Sequence, residues 1–255
     1  MGTALPFSDI DVFLQQVDGP KGCLIDTNLL IALNDSEHAF HDDAAFLIER
    51  LSECDVPIYA TVTARSEFID YQRRVIVTEY LMDVYAQANK WKISNATRDV
   101  LKSQRGWLDN ELGRDREPVL TDSRIKECKQ AFKPREHSGQ IGWVKFCQEF
   151  LSGKLLAHWN QISEVLRLRY IDMRTDDTKA LFRKDLRWED MYRLMEESAM
   201  GSGDAMILNV LDCTVLPFAV TADYDLAYGT LLSADDKTIF VPDSLYRRHI
   251  KKLRF

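Results

Sequence analysis

The sequence lacks the features that mark membrane-spanning, zinc-thiolate and disulfide-stabilised proteins. No window approaches the ~20 uninterrupted apolar residues of a membrane helix, and the first residues show no basic stretch followed by an apolar one. The five cysteines are odd in number and scattered, and the sequence has no Cys-x-x-Cys pair. The Cys-x-x-Cys motif of zinc and dithiol sites is therefore excluded. These absences predict a cytoplasmic protein with reduced cysteines and no membrane partner.

Positive charge is also in short supply, which bears on any nucleic-acid partner. The chain has 33 Lys and Arg against 40 Asp and Glu, a net charge of -7, whereas nucleic-acid backbones are bound mainly through Lys and Arg. The shortage is uneven. Residues 85–195 hold 22 basic and 16 acidic side chains (+6), which leaves 11 and 24 (-13) for the rest. The middle of the chain is therefore basic and its two ends are acidic.

Strand and helix patterns alternate near both ends of the chain. The predicted strands are the short apolar or β-branched runs at residues 22–26, 57–63, 215–221 and 238–241. Helical patterns follow the first two at residues 28–33, continuing through 44–51, and 64–71, and an apolar helix at 204–211 precedes the third. The alternation predicts an α/β fold, with a central parallel sheet covered by helices on both faces.

Between these ends the sequence shows helical patterns but no strand. The predicted helices are residues 75–90, 96–112, 125–132, 143–170 and 178–198. We therefore expect an α/β core of residues 1–75 and 198–255, interrupted by a large all-helical insertion of residues 76–197. All five tryptophans lie in the insertion, which favours a hydrophobic core of its own.

Four acidic residues are expected at the carboxyl edge of the predicted sheet, where functional groups gather in such folds. They are Asp26 at the end of the first strand, Glu67 one helical turn past the second, Asp204 at the start of the apolar helix and Asp223 after the third strand. Four neighbouring negative charges repel one another unless a cation neutralises them, and carboxylate oxygens suit Mg²⁺ or Mn²⁺. The pattern predicts metal-assisted hydrolysis of a phosphodiester.

Hydroxyl and amide side chains beside these acids are suited to orient them or to hold a metal-bound water. They belong to Thr27, Asn28, Thr63 and Thr221. Asp225 is a further acid that can substitute for Asp223 or assist it.

Four short motifs resemble the PIN domains, a family named for the PilT N-terminus. They are Leu24-Ile-Asp26-Thr-Asn28, Thr63-Ala-Arg-Ser-Glu67, Gly203-Asp204-Ala-Met-Ile and Val220-Thr-Ala-Asp223-Tyr-Asp-Leu226, in the family's order. The resemblance covers about residues 20–75 and 198–245. It implies a metal-dependent endoribonuclease whose Mg²⁺ or Mn²⁺ is carried by Asp26, Glu67, Asp204 and Asp223, supported by Asn28 and Thr221.

The resemblance also raises partners beyond an RNA substrate: a second copy of the chain, and an antitoxin-like protein as in toxin–antitoxin pairs. The 137 positions between Glu67 and Asp204 (204 minus 67) exceed those of the family's small toxin ribonucleases. The substrate and any toxin role therefore stay open at this point.

Four arginines are candidates for binding the nucleic-acid backbone. Arg73 and Arg74 follow Glu67 closely, and Arg167 and Arg169 lie in the basic middle of the chain. Two other functions stay open: a non-catalytic scaffold that binds RNA or a protein, and a phosphatase of the haloacid dehalogenase type. The latter needs Asp-x-Asp at the first strand, where this chain has Asn28.

Overall fold

The structure is a computed structural model that describes residues 2–17, 21–114, 116–171, 176–233 and 236–253, with only the backbone of Asp177. The chain forms two compact units. Unit 1 comprises residues 1–68 and 160–255, and unit 2 comprises residues 69–159. The sequence interpretation drew these boundaries at 75 and 198 instead, because residues 160–197 have no strong strand signal. No helix of the described residues is long and apolar enough to cross a membrane.

Unit 1 is built on a six-stranded sheet in which every pairing is parallel. The strands are β1 Thr3–Pro6, β2 Cys23–Ile25, β3 Ile58–Thr61, β4 Arg169–Ile171, β5 Phe218–Val220 and β6 Thr238–Val241. Their spatial order is β1-β6-β5-β2-β3-β4. The predicted α/β fold with a parallel central sheet is confirmed.

Two strands are absent from the sequence prediction, and both lie at edges of the sheet. β1 pairs with β6, and β4 pairs with β3. The expectation that residues 76–197 are all-helical is therefore wrong, as is the single helix expected over residues 143–170. A strand of three residues is too short for its alternation to differ from that of a helix.

Helices lie on both faces of the sheet, since alternate residues of a strand point to opposite faces. On one face, Leu24, Ala219 and Ile239 join a hydrophobic cluster with residues of three later helices. On the other face, the rings of Phe218 and Phe240 lie 5.3 and 5.1 Å from the ring of Phe13. The central strands are thus buried from both sides.

The helices of unit 1 differ from the prediction mainly in where they break. They are α1 Ile10–Gln16, α2 Thr27–Asn34, α3 His41–Glu53, the first part of α4 Val62–Ala86, the end of α9 Lys154–Val165, α10 Asp176–Lys179, α11 Trp188–Ser198, α12 Ser202–Cys213, α13 Tyr224–Leu232 and α14 Asp243–Leu245. A 3₁₀ turn, Phe7–Asp9, precedes α1, and a π-helical turn, Tyr246–Ile250, follows α14. The helix expected over residues 28–51 is divided into α2 and α3, while those expected at 64–71 and 75–90 form the single helix α4.

Unit 2 is helical and has its own hydrophobic core. Besides its share of α4 and α9 it contains α5 Ala88–Trp91, α6 Asn95–Leu112, α7 Asp122–Ala131 and α8 Trp143–Phe150. Leu81, Leu101 and Phe146 are fully buried at its centre. Trp91, Trp107 and Trp143 pack against this cluster, as the sequence predicted. Trp188 does not: it lies on α11 of unit 1 and is 59% exposed.

Candidate functional site

The candidate site lies at the topological switch point of the sheet. From β2 the chain continues to β3 and β4 on one side, whereas β5 and β6 lie on the other side of β2. Open α/β sheets bind their ligands at the carboxyl ends of the strands at such a point, because the connections on the two sides diverge there. Asp26 directly follows β2 and Thr221 directly follows β5, so both lie at this crevice.

Asp26 is held rigidly at the end of β2. Its amide donates a 3.0 Å hydrogen bond to the carbonyl of Val220, which extends the pairing of β2 with β5 by one residue. Its carboxylate caps α2, with Oδ1 accepting from the amide of Thr27 at 2.6 Å, and Oδ2 accepts from the hydroxyl of Thr221 at 2.6 Å. The side chain is buried, with 1% of the residue exposed.

Three consecutive residues after β2 connect to the other parts of the site. Asp26 is bonded to Thr221, as described above. The hydroxyl of Thr27 donates to Oε2 of Glu67 at 2.7 Å, and Nδ2 of Asn28 donates to Oδ2 of Asp223 at 2.8 Å. The segment 26–28 therefore fixes the positions of acids that are far away in the sequence.

Glu67 reaches the site because α4 begins immediately after β3. The hydroxyl of Thr61, the last residue of β3, accepts from the amide of Ala64 at 3.0 Å and caps the helix. One turn later, the carboxylate of Glu67 lies against the backbone of Gly203, where a Cβ atom would overlap Oε1. A glycine is therefore required at position 203 to admit this carboxylate.

The remaining acids lie at two helix starts. Asp204 occupies the first turn of the largely buried helix α12, where the helix dipole favours a negative charge. Asp223 caps α13: its Oδ1 accepts from the amide of Asp225 at 2.7 Å, and its own amide donates to the hydroxyl of Thr221 at 2.8 Å. Thr221 thus bonds both Asp26 and Asp223 through one oxygen.

The carboxylates are close enough to alter one another's protonation. Burial, together with the charges of Asp204 and Asp223, raises the pKa of Asp26 from 3.8 to about 7, against the lowering effect of its two hydrogen bonds. Burial raises the pKa of Asp204 to about 6, with further contributions from Asp223, Glu67 and Asp225. The site therefore concentrates negative charge that is costly without a cation.

The donor set fits a hard divalent cation that keeps most of its waters. Among the described residues, no three His, Cys, Asp or Glu side chains are grouped so as to hold one metal ion. Mg²⁺ usually binds proteins through one or two carboxylates, with water and substrate phosphate completing its shell. Every carboxylate oxygen also keeps a lone pair beyond the hydrogen bonds described here. The four acids thus fit Mg²⁺ or Mn²⁺ by their chemistry, without an all-protein cage.

The supporting residues expected from the sequence divide into two groups. Asn28 and Thr221 are bonded directly to the acids, and Asp225 bonds Asp223 through its amide while its own carboxylate is exposed. The side chain of Thr63 makes no hydrogen bond among the described residues, and the capping role at this helix belongs to Thr61. Thr61 lay inside the strand expected over residues 57–63, so the sequence prediction gave no sign that it caps a helix.

The four arginines expected to bind nucleic acid are divided between the two units. Arg169 is the first residue of β4, and its guanidinium lies 5.8 Å from the ring of Tyr59. Arg167 precedes it, so both arginines lie at the amino ends of the strands, opposite the edge of the acids. In unit 2, Arg73 pairs with Asp70 and Asp122, and Arg74 lies 3.5 Å from Asp70. Spacing in the sequence did not reveal these partners.

Four carboxylates from four separate elements therefore meet at one sheet edge, held by Thr27, Asn28 and Thr221. This convergence is a property of the fold, because Asp26 and Asp223 are separated by most of the chain. No family model, no curated protein and no solved structure matches this chain.

Proposed function

We propose that the chain is a metal-dependent endonuclease that hydrolyses phosphodiester bonds of RNA at the carboxyl edge of its sheet. The observation that carries the proposal is the convergence of Asp26, Glu67, Asp204 and Asp223 at the switch point. Purely structural acids are normally paired with Lys or Arg, whereas here the charges facing Asp26 and Asp204 are those of other acids. Such an arrangement is expected where a cation and a phosphate are bound.

The resemblance of the four motifs to PIN domains supports RNA as the substrate. In this proposal residues 1–75 and 198–255 correspond to a PIN-like core, and its acids match the family's metal-binding positions one by one. The all-parallel sheet is compatible with that family. The four motifs cover about residues 20–75 and 198–245, so β4 is a strand of unit 1 that lies outside them.

The four acids would hold Mg²⁺ or Mn²⁺. When bound, such an ion lowers the pKa of a water molecule and neutralises charge on the leaving oxygen of the phosphodiester. Hydrolysis by that water is expected to leave a 5′-phosphate and a 3′-hydroxyl.

The chain's own residues prepare this site before any ligand arrives. The two short hydrogen bonds on Asp26 fix its carboxylate, and the hydroxyl of Thr27 fixes that of Glu67. Asn28 performs the same task for Asp223, which gives position 28 an orienting role and leaves no acid there for a phosphatase of the Asp-x-Asp type. Preorganised ligands lower the free energy that binding must spend on ordering side chains.

The test is cleavage of RNA and of single-stranded DNA by the purified chain with Mg²⁺ or Mn²⁺. We expect cleavage of RNA that EDTA abolishes, with 5′-phosphate ends on the products. Asp26→Asn should reduce cleavage to the level seen with EDTA while the protein stays folded. Asp42→Asn is the matched control, because Asp42 is an exposed acid in the first turn of α3.

Three outcomes would contradict the proposal. Full activity of Asp26→Asn would show that the acids do not carry the reaction and would point to a contaminating nuclease, whereas equal loss in Asp42→Asn would show that loss of any acidic charge lowers activity. Absence of cleavage together with absence of Mn²⁺ binding in calorimetry would favour the non-catalytic scaffold. Cleavage of DNA alone would correct the substrate but not the chemistry.

A further inference from the structure

A dense group of cations lies after the last strand of unit 1, and none of the roles described so far uses it. Residues 247–252, called here the basic segment, contain Arg247, Arg248, His249, Lys251 and Lys252, with only Ile250 between them. All five side chains are exposed. This is a marked local excess of positive charge in a chain with a net charge of -7.

The basic segment is fixed to the core of unit 1. It begins in the π-helical turn Tyr246–Ile250. π-Helical turns are rare in proteins, and many of those that occur are at functional sites. Ile250 is 5% exposed and belongs to the same hydrophobic cluster as Leu24 and Ala219 of the sheet, and Tyr246 packs against that cluster. The apolar residues therefore hold the segment while its cations face solvent.

The segment also lies beside the acidic edge. β6 runs parallel to β5, so its end at Val241 and the turn that follows lie at the carboxyl edge. The ring of His249 lies 5.5 Å from the ring of Tyr224, edge to face. Tyr224 is the residue directly after Asp223, so this contact connects the basic segment to the site.

Three of these basic side chains have no acidic partner in the part of the chain that the structure describes. Among the described residues, Arg248, Lys251 and Lys252 form no salt bridge, in contrast to Arg50 or Arg73. Arg247 differs, because burial and the charges of Asp243 and Asp42 raise the pKa of Asp43 and the charge of Arg247 opposes that rise. The cations available to a ligand are therefore those of Arg248, Lys251 and Lys252.

We propose that the basic segment binds the phosphates of the single-stranded RNA that the neighbouring carboxylate site cleaves, with Arg248 and Lys252 as its principal contacts. The inference rests on the proposed nuclease function for the identity of the ligand. A polyanion is repelled by four carboxylates, so cations beside them are needed to bring the backbone close. Arg248 lies in the π-helical turn and Lys252 in the turn that directly follows it, and both side chains are exposed.

The experiment measures binding apart from cleavage. The chain of 255 residues carries Asp26→Asn so that the probe stays intact, and binding of a short fluorescent single-stranded RNA is followed by anisotropy over a salt series. Arg248→Gln with Lys252→Gln is compared with Arg167→Gln and Arg169→Gln. The second pair removes the same charge from the opposite edge of the sheet and also tests the arginines expected from the sequence.

Loss of two phosphate contacts should weaken binding about 10- to 25-fold at 0.1 M salt and reduce the slope of log K against log salt by about 1.4. The control pair should stay within about twofold of the parent chain, since its arginines lie far from the acids. In the chain with Asp26 restored, the substitutions Arg248→Gln and Lys252→Gln together should raise KM for RNA and leave kcat unchanged.

Unchanged RNA binding in the 248/252 variant would overturn the inference, as would an equal loss in the control pair. Loss of binding to phosphatidylserine vesicles without loss of RNA binding would assign the segment to a membrane surface and overturn it as well. If the chain cleaves nothing but the 248/252 variant alone loses RNA binding, the nuclease proposal fails and the binding surface stands.

Discussion

At the scale of single residues, Thr221 has the most connected position in the site. One hydroxyl donates to Asp26 and accepts from the amide of Asp223, and Thr221 is fully buried. We predict that Thr221→Val, which keeps the shape but removes the hydroxyl, lowers the free energy of unfolding by about 1–3 kcal/mol, because it leaves the buried Oδ2 of Asp26 without a donor and the amide of Asp223 without an acceptor. Urea unfolding measures this.

Thr221→Ser is the matched control, since it keeps the hydroxyl and loses one methyl group. It should retain cleavage activity, whereas the valine variant should lose it. If Thr221→Val is as stable as the parent chain, the hydroxyl contributes nothing to stability and the prediction is wrong.

The raised pKa values give a second prediction at this scale. A folded carboxyl with a pKa of about 7 at Asp26, or about 6 at Asp204, holds a proton that the unfolded chain releases near 3.8. The folded state therefore binds more protons between these values, and the stability of the metal-free protein falls as pH rises from about 4 to about 7. Thermal melting in EDTA across this pH range tests the sign.

Asp204→Asn removes one of the negative charges that repel one another at the site. We expect it to raise Tm in EDTA above pH 6, and to reduce the further rise in Tm that Mn²⁺ gives the unmodified chain. Glu49→Gln removes an exposed acid of α3 and should change neither quantity. A lower Tm for Asp204→Asn at pH 8 would contradict the clustering of charge at the site.

The sequence allowed these acids to be found because each stands next to a strong local signal. Asp26 ends an apolar run, and Asp223 follows another. The hydrogen bonds of Thr27 to Glu67 and of Asn28 to Asp223 depend on strands brought together by the fold, so only their chemical suitability was visible. Nearness in the sequence to Glu67 did not reveal the carboxylates that pair with Arg73 and Arg74, and nucleic-acid binding by the four arginines stays a prediction.

At the scale of elements, the start of α12 is constrained by its neighbour. A Cβ at Gly203 would overlap the carboxylate of Glu67, which is the movable end of a side chain. We predict that Gly203→Ala leaves the fold intact but displaces Glu67, reducing kcat by on the order of 100-fold, the effect of a misplacement of about 1 Å. Circular dichroism tests whether the fold is intact, and cleavage kinetics measure kcat.

Gly106 provides the comparison within another helix. It lies in α6, and a Cβ there would meet no atom within 4 Å. Gly106→Ala should therefore stabilise the chain by about 0.5–1 kcal/mol through helix propensity and leave cleavage unchanged. Equal effects of the two alanines on kcat would contradict the specific role of position 203.

Prediction of elements succeeded where burial imposes a pattern. β2, β5 and β6 consist largely of buried residues, so their sequences are short continuous apolar runs. β4 is exposed at Arg169 and half-buried at Tyr170, as expected of an edge strand, and its alternation resembles one side of a helix. The break between α2 and α3 lies at residues 35–40, which begin with four polar residues and end with Ala39 and Phe40. Such a local pattern does not show whether a helix continues.

At the scale of the whole molecule, unit 2 has the organisation of an independently folding domain. Its core consists of residues between Val77 and Phe146, all within the continuous segment 69–159. We predict that this segment, produced alone, unfolds in one cooperative transition, because a domain with its own core can fold by itself. Thermal melting followed by circular dichroism would show a sigmoidal transition, and a gradual loss of helix would contradict the division.

The order of the strands could not be read from the sequence. Local patterns predict strands but not partners, and β5 pairs with β2 across nearly 200 residues. What places the acids together is therefore the pairing of β2, β3 and β5 at the centre of the sheet. A doubly wound sheet was expected from the alternation, but the contribution of residues 160–197 to unit 1 was not.

The pairing of β2 with β5 has a consequence for synthesis of the protein. Asp26 leaves the ribosome long before Thr221 and Asp223, and at about 5–20 residues per second the interval is roughly 10 to 40 seconds. During that time the nascent chain has no partner for β2 on the β5 side, and its carboxylate site is incomplete. A chain that cuts RNA would thus be unable to cleave the messenger from which it is being translated until Thr221 and Asp223 have emerged and β5 has paired with β2.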